Sequence, residues 1–208
     1  MITFYFLRHG QTTWNLSGKY QGSTDVPLSE LGIRQAALAA RWFDGMKIDA
    51  IYSSPQIRAR RTAEALAERQ GMQVELVPEF RELCFGDWEG LTYDEIESRW
   101  PGAVEQMYQS PDTVRIPNGE SFDEVQARTM SAMRKIMARG NDKTYVIVSH
   151  GASIRTILCG MLGISLHTAW QFCQANANIS CIHCYGEDKN WLYLLNSQEH
   201  LRELPERN

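Results

Sequence analysis

No stretch of the 208 residues approaches the roughly 20 apolar residues that a membrane-spanning helix needs. The N-terminal apolar run, Ile2 to Leu7, has no basic leader before it and is too short for a signal peptide. Positive charge is not in excess either: 21 Lys and Arg face 25 Asp and Glu, a formal net charge of −4. Such a chain has no global field to draw in nucleic acid or an anionic membrane, so any anion site must be built locally from a few cations. Cysteine is sparse and odd in number, five in all, which excludes a complete disulfide framework and agrees with a reducing, cytoplasmic setting. Cys181-Ile182-His183-Cys184 has a metal-like look, but it lies in a strand-like run whose alternation puts the two thiols on opposite faces. With no second cysteine pair, no metal site is expected. Internal repeats and low-complexity segments are also missing.

What is present is an ordinary globular composition, 43% hydrophobic and 22% charged, enough for one domain or one domain with a lid. One device occurs twice. Thr3-Phe4-Tyr5-Phe6-Leu7 runs into Arg8-His9-Gly10, and Thr144-Tyr145-Val146-Ile147-Val148-Ser149 runs into His150-Gly151. Continuous apolar runs of this kind read as strands buried on both faces. In open α/β sheets ligands sit beyond the carboxyl ends of such strands, so two histidines far apart in sequence can converge on one site. Either histidine alone reads as a satisfied polar residue. As a pair, each beside a glycine that keeps the backbone open to a ligand, they point to a site. Arg8 adds to this, because a guanidinium at a buried strand end is expensive without an anion.

Between the two devices the pattern alternates. Ser29 caps a predicted helix over about 30–43, with Leu31, Gln35, Leu38 and Trp42 at helical spacing. A strand over 49–53 leads through Pro55 into a helix reaching about Arg69, and a third strand covers 73–77. Residues 80–120 differ, with Phe85, Trp88, Trp100, Met107 and Tyr108 set among acidic residues and prolines. A capping box at Thr92 to Glu95 opens a short helix there, and the segment reads as an inserted helical lid. A second capping box at Ser121 to Glu124 opens a helix to about Arg139. A helix over 154–162 is stopped by Gly163, strands over 179–185 and 191–195 are joined by residues 186–190, and the last twelve residues read as a loose polar tail. The whole implies a single domain, 1–208, of the α/β class: three-layer α/β/α with a mainly parallel sheet and a small helical lid insertion.

Three strand ends share one rim. They offer Arg8 and His9; Ser53-Ser54-Pro55 followed by Arg58; and His150, Gly151 and a helix N-terminus with free N–H groups. Two arginines, two histidines and open backbone donors suit a tetrahedral dianion, most simply a phosphoryl group, held without a metal by contacts of roughly 1.5–3 kcal/mol each. Position alone does not separate Arg58 from Arg60 and Arg61, which read as solvated helix charges.

These residues resemble a known family. Leu7-Arg8-His9-Gly10-Gln11-Thr12-Thr13-Trp14-Asn15 resembles the signature of the histidine phosphatase superfamily, in its phosphoglycerate-mutase-like branch. Ser53 to Ala59, Glu82 with Phe85-Gly86-Asp87-Trp88-Glu89-Gly90, Asn118 to Ser121 and Val148 to Gly151 resemble its further motifs in the same order, over about residues 2–196. The resemblance implies a phosphohistidine mechanism with no cofactor. His9 is then the nucleophile, while Arg8, Arg58 and His150 hold the equatorial oxygens. Glu82 protonates the leaving alcohol and then activates the water. Asn15 and the backbone around Gln21 and Gly22 line the pocket, with Gly151 beside them. Neutral imidazole is needed for attack, and flanking guanidinium groups favour it. Glu82 must arrive protonated, which the substrate dianion and desolvation would promote; the bland alternative is a surface carboxylate paired with Arg81.

After Glu82 the chain reads Leu83-Cys84-Phe85, without the arginine typical of the mutases, so hydrolysis of a small phosphorylated metabolite is the expectation. The chain looks most like the α-ribazole-type and broad-specificity phosphatases, which leaves α-ribazole 5′-phosphate and sugar or glycerate phosphates as candidates. The alternatives are a cofactor-dependent phosphoglycerate mutase, a phosphate-binding domain with little turnover, and a metal hydrolase, the last disfavoured by two arginines beside the histidines. The lid aromatics are expected to pack rather than to touch substrate. A homodimer is an open option.

Overall fold

The computed structural model describes residues 1–186 and 189–204. Glu187 and Asp188 of the expected connecting turn, and the end of the expected tail (205–208), lie outside the described residues. Among those described, β1 (Ile2–Arg8), β2 (Ala50–Ser53), β3 (Val74–Leu76), β4 (Lys143–Ser149), β5 (Ile179–Cys184) and β6 (Asn190–Ser197) form one sheet in the order β3-β2-β4-β1-β5-β6. The first four strands are parallel. β5 runs antiparallel to β1, and β6 antiparallel to β5.

The helices are α1 (Thr13–Leu16), α2 (Glu30–Trp42), α3 (Ile57–Gln70), α4 (Tyr93–Arg99), α5 (Ala103–Gln109), α6 (Phe122–Met137) and α7 (Gly151–Leu162). β1 explains the layering. Phe4 and Phe6 pack with Met133 of α6 and Ile157 of α7 on one face, while Leu7 packs with Ala39 and Phe43 beside α2 and Leu66 of α3 on the other. Alternate side chains of one apolar strand thus feed two cores, and the result is the three-layer α/β/α sandwich that the pattern implied. A third apolar cluster joins Leu83, Trp88, Ile96, Val104 and Met107 of the 80–120 segment to Phe122 of α6 and Cys159 of α7. Cys181 faces Tyr5 and Cys184 faces Met137, and all five cysteines are free thiols.

Three local expectations shift. The buried stripe of α2 is Leu31, Gly32, Gln35, Ala36, Ala39 and Ala40, whereas Leu38 and Trp42 are only half-buried. Small residues were needed there because Gly32 packs backbone to backbone: a Cβ on it would stand 2.0 Å from the Gln11 carbonyl oxygen. α7 starts at Gly151, three residues before its apolar pattern begins, since Gly151, Ala152 and Ser153 carry no periodic signal. The tail is not loose throughout: Glu199–Leu201 form a 3₁₀ turn with Leu201 fully buried. Helices α1 and α5 and the 3₁₀ turn Leu166–Gln171 lie in segments too short or too polar to declare themselves.

Candidate active site

Parallel pairing of β1 with β4 sets Arg8 opposite Ser149. The next residue after each strand is a histidine, and the His9 N–H donates to the Ser149 carbonyl at 3.0 Å. The two imidazoles, both buried, meet with ring centroids 5.1 Å apart and planes at 58°. His9 Nδ1 lies 2.7 Å from the Gly10 carbonyl oxygen. A carbonyl only accepts, so the proton sits on Nδ1 and the Nε2 lone pair is left for a substrate.

Arg58 is fully buried, unlike Arg60 and Arg61, which pair with Glu64 on the outer side of α3. Its Nη1 and Nη2 donate to the carbonyls of Thr24 and Gly22, both at 2.8 Å. That loop is pinned in turn by Glu89, whose carboxylate accepts from the N–H groups of Ser23 (2.7 Å) and Thr24 (2.9 Å) and from Thr24 Oγ1 (2.6 Å). Arg8 donates to the Gln174 carbonyl and passes beside Gly151, where a Cβ would make an ordinary contact with the Arg8 guanidinium carbon at 3.6 Å. Gly10 serves packing rather than ligand access, because its Cβ would strike the Gly32 carbonyl oxygen at 2.4 Å.

Glu82 does not pair with Arg81, which turns to Glu120. Its carboxylate instead accepts from the N–H groups of Ala152 (3.2 Å) and Ser153 (3.1 Å), from Ser153 Oγ (3.2 Å) and from the Leu83 N–H (2.9 Å). The free N–H groups expected to face a phosphate at the start of α7 are thus partly taken by Glu82, a carboxylate at the positive end of a helix. Arg128 of α6 braces the same loop, donating to the carbonyls of Glu79, Arg81 and Glu82.

The match to the histidine phosphatase superfamily (branch 1) spans residues 4–197. The chain belongs to this superfamily. It is 34% identical to phosphoserine phosphatase 1 of Hydrogenobacter thermophilus, over 98% of this chain and 96% of that protein. It is 32% identical to a probable phosphoglycerate mutase of Yersinia pestis, over 92% and 88% of the two chains. Among solved structures, a mutant phosphoserine phosphatase from Entamoeba histolytica in complex with phosphoserine superposes with a TM-score of 0.86 at 32% identity, covering 97% of this chain and all of that one (100%).

In this histidine phosphatase the electrostatics favour neutral imidazoles. Burial, then Arg58, then Arg8 hold His9 well below the usual histidine range. Burial, Arg58 and His9 do the same to His150. Burial draws the Arg58 guanidinium down to about 10, so it stays charged at neutral pH. His150 Nε2 lies 2.8 Å from Ser54 Oγ, while its Nδ1 is buried without a protein partner.

The site opens into a cavity of about 360 Å³ lined by Arg8, His9, Asn15, Gln21, Gly22, Arg58, Glu82 and Gly151, the residues expected there. Asn15 is held by Asn176, whose Nδ2 donates to its Oδ1 at 3.2 Å, and Gln21 Oε1 accepts from Thr12 Oγ1 at 2.8 Å. His150 is fully buried and is not among the residues that line the cavity, although its ring centroid lies 5.1 Å from that of His9. The aromatics divide. Trp88 is fully buried in the third cluster, whereas Phe85 and Tyr108 reach the cavity together with Tyr20, Tyr93 and Trp170. The linear pattern offers Ser54 at the rim without a stated role and assigns none to Glu89, Arg128, Arg155 or Trp170. Of these, Glu89 was within reach, since it stands beside Trp88 in the motif running from Phe85 to Gly90.

Among the described residues no group of three or more His, Cys, Asp or Glu is placed to hold a metal ion. Among them, too, no helix is long and apolar enough to cross a membrane.

Proposed function

We propose that this histidine phosphatase hydrolyses small phosphate monoesters through a phosphohistidine on His9. The observation that carries this is the buried imidazole pair, 5.1 Å apart, flanked by Arg8 and Arg58 with Glu82 on the same cavity. His9 Nε2 attacks phosphorus while Arg8, Arg58 and His150 Nδ1 take the equatorial oxygens. Glu82 hands its proton to the departing alkoxide, then accepts one from the water that attacks the phosphohistidine. Asn15, Gln21, Gly22 and Gly151 shape the pocket. Leu83 is fully buried after Glu82, and no arginine follows there to receive a second phosphoryl acceptor, which favours water over mutase transfer.

Rapid quench with ³²P-labelled monoester tests the reading. Acid-labile, base-stable label on the wild type, its loss in His9→Ala and release of inorganic phosphate are expected. A protein that never labels and never releases phosphate overturns it. Glu82→Ala is expected to slow alkyl phosphates by about 100-fold or more and an aryl phosphate with a good leaving group far less; equal effects on both remove Glu82 from the acid role. Five free thiols agree with a cytoplasmic location, testable by fractionation of the native cell. A homodimer finds a free edge at β6, with exposed Trp191 and Tyr193; a single species at the one-chain mass by sedimentation rejects it.

A further inference from the structure

Of the cations that line the cavity, Arg155 and Lys19 have no task in the phosphate chemistry. Arg155 lies on α7, one turn beyond Gly151, and lines the cavity. Its guanidinium carbon lies over the Trp170 ring, 4.4 Å from the centroid. Its Nε is buried with no hydrogen-bond partner. Arg8 and Arg58 each use a backbone carbonyl; among the described residues no such acceptor serves Arg155. It also stands close to another cation. A Cβ on Gly151 would be 3.1 Å from Arg155 Nη1 and 3.6 Å from Arg8 Cζ. Two adjacent guanidinium groups repel unless an anion lies against them, and burial together with Arg8 draws Arg155 down to about 10, still charged at neutral pH.

Building on monoester hydrolysis at this same site, we propose that Arg155 binds a carboxylate of the substrate, which makes the substrates short phosphorylated carboxylic acids. The charges agree. Arg8, Lys19, Arg58 and Arg155 line the cavity with one carboxylate, Glu82, so a phosphoryl dianion leaves one positive charge over. A single carboxylate balances it. The planar guanidinium, lying over Trp170, has N–H groups to offer a bidentate carboxylate. Its nearness to Arg8 means that only a few bonds separate the phosphate from the carboxylate. Lys19 also lines the cavity, but lies over Trp14 and is half-buried.

The test compares matched pairs: phosphoserine with phosphoethanolamine, and 3-phosphoglycerate with glycerol 3-phosphate. The wild type should prefer each acid by about 10-fold or more in kcat/KM, the worth of one charge-assisted contact. Arg155→Gln should collapse that ratio towards one, chiefly through KM of the acids, and Arg155→Lys should restore part of it. A wild type that treats each acid and its partner without the carboxylate alike overturns the proposal. So does an Arg155→Gln protein that slows all four substrates equally, or a ratio governed by Lys19→Gln instead. Should the Arg155 variants fail to fold, wild-type inhibition decides: 3-phosphonopropanoate must bind at least several-fold more tightly than propylphosphonate, and equal binding refutes the carboxylate site. Failure of the hydrolase reading looks different, with no phosphate released from any of the four while the phosphonate pair still reports on Arg155.

Discussion

Single residues here act through the partners they orient. Glu89 never needs to touch substrate, yet it holds the 22–24 loop whose carbonyls aim Arg58. Glu89→Ala should therefore lower kcat/KM by about 10- to 100-fold through weaker phosphate binding, the scale of one or two charge-assisted contacts. Steady-state kinetics with inorganic phosphate as competitive inhibitor checks it, because Ki for phosphate should rise in parallel. His9 carries a second prediction. Burial and the two arginines hold it well below 6.5, so its neutral form persists as pH falls through the ordinary histidine range. The nucleophile's acid limb in kcat/KM should lie clearly below pH 6.5. A limb at 6.5 that disappears in no other variant would show an unperturbed imidazole.

Helix starts set the element scale. Ser29, Thr92 and Ser121 were legible as caps because a hydroxyl before a helical pattern has one dominant use, and each accepts the N–H expected of it. Ser121→Ala should cost about 1 kcal/mol, a Tm shift of roughly 2–4 °C by calorimetry, with little change in activity. Gly32→Ala should be far worse. Its Cβ would meet the Gln11 carbonyl at 2.0 Å, and the segment it displaces carries His9 and Gly10. Loss of most activity along with a large fall in Tm is expected. The glycine was visible in the sequence, but its backbone neighbour was not: a contact between residues 10–11 and 32 depends on how α2 docks.

Across the whole molecule, two buried histidines make stability depend on pH. Their native values lie below those of the unfolded chain, so the unfolded state binds more protons as pH drops below about 6.5. Stability is full above that value and is lost progressively towards the depressed native values. Tm should fall between pH 7 and 5.5, less steeply in a His9→Asn/His150→Gln double variant; parallel curves would contradict the assignment. Phosphate should raise Tm by mass action, and less so in Arg58→Gln.

The strands, their order of alternation with helices and the placing of Arg8-His9 and His150 at two strand ends were legible in the linear chain, because apolar periodicity is a local property; Arg58 and Glu82 were singled out only by the family resemblance. Which cations are spent on backbone carbonyls and which remain free was decided by tertiary structure alone. Arg58, Arg60 and Arg155 look alike in a string of letters. One is sunk among carbonyls, one reaches an outer glutamate and one lies unpaired against Trp170. The cost of burying charge is settled by neighbours brought from other parts of the chain.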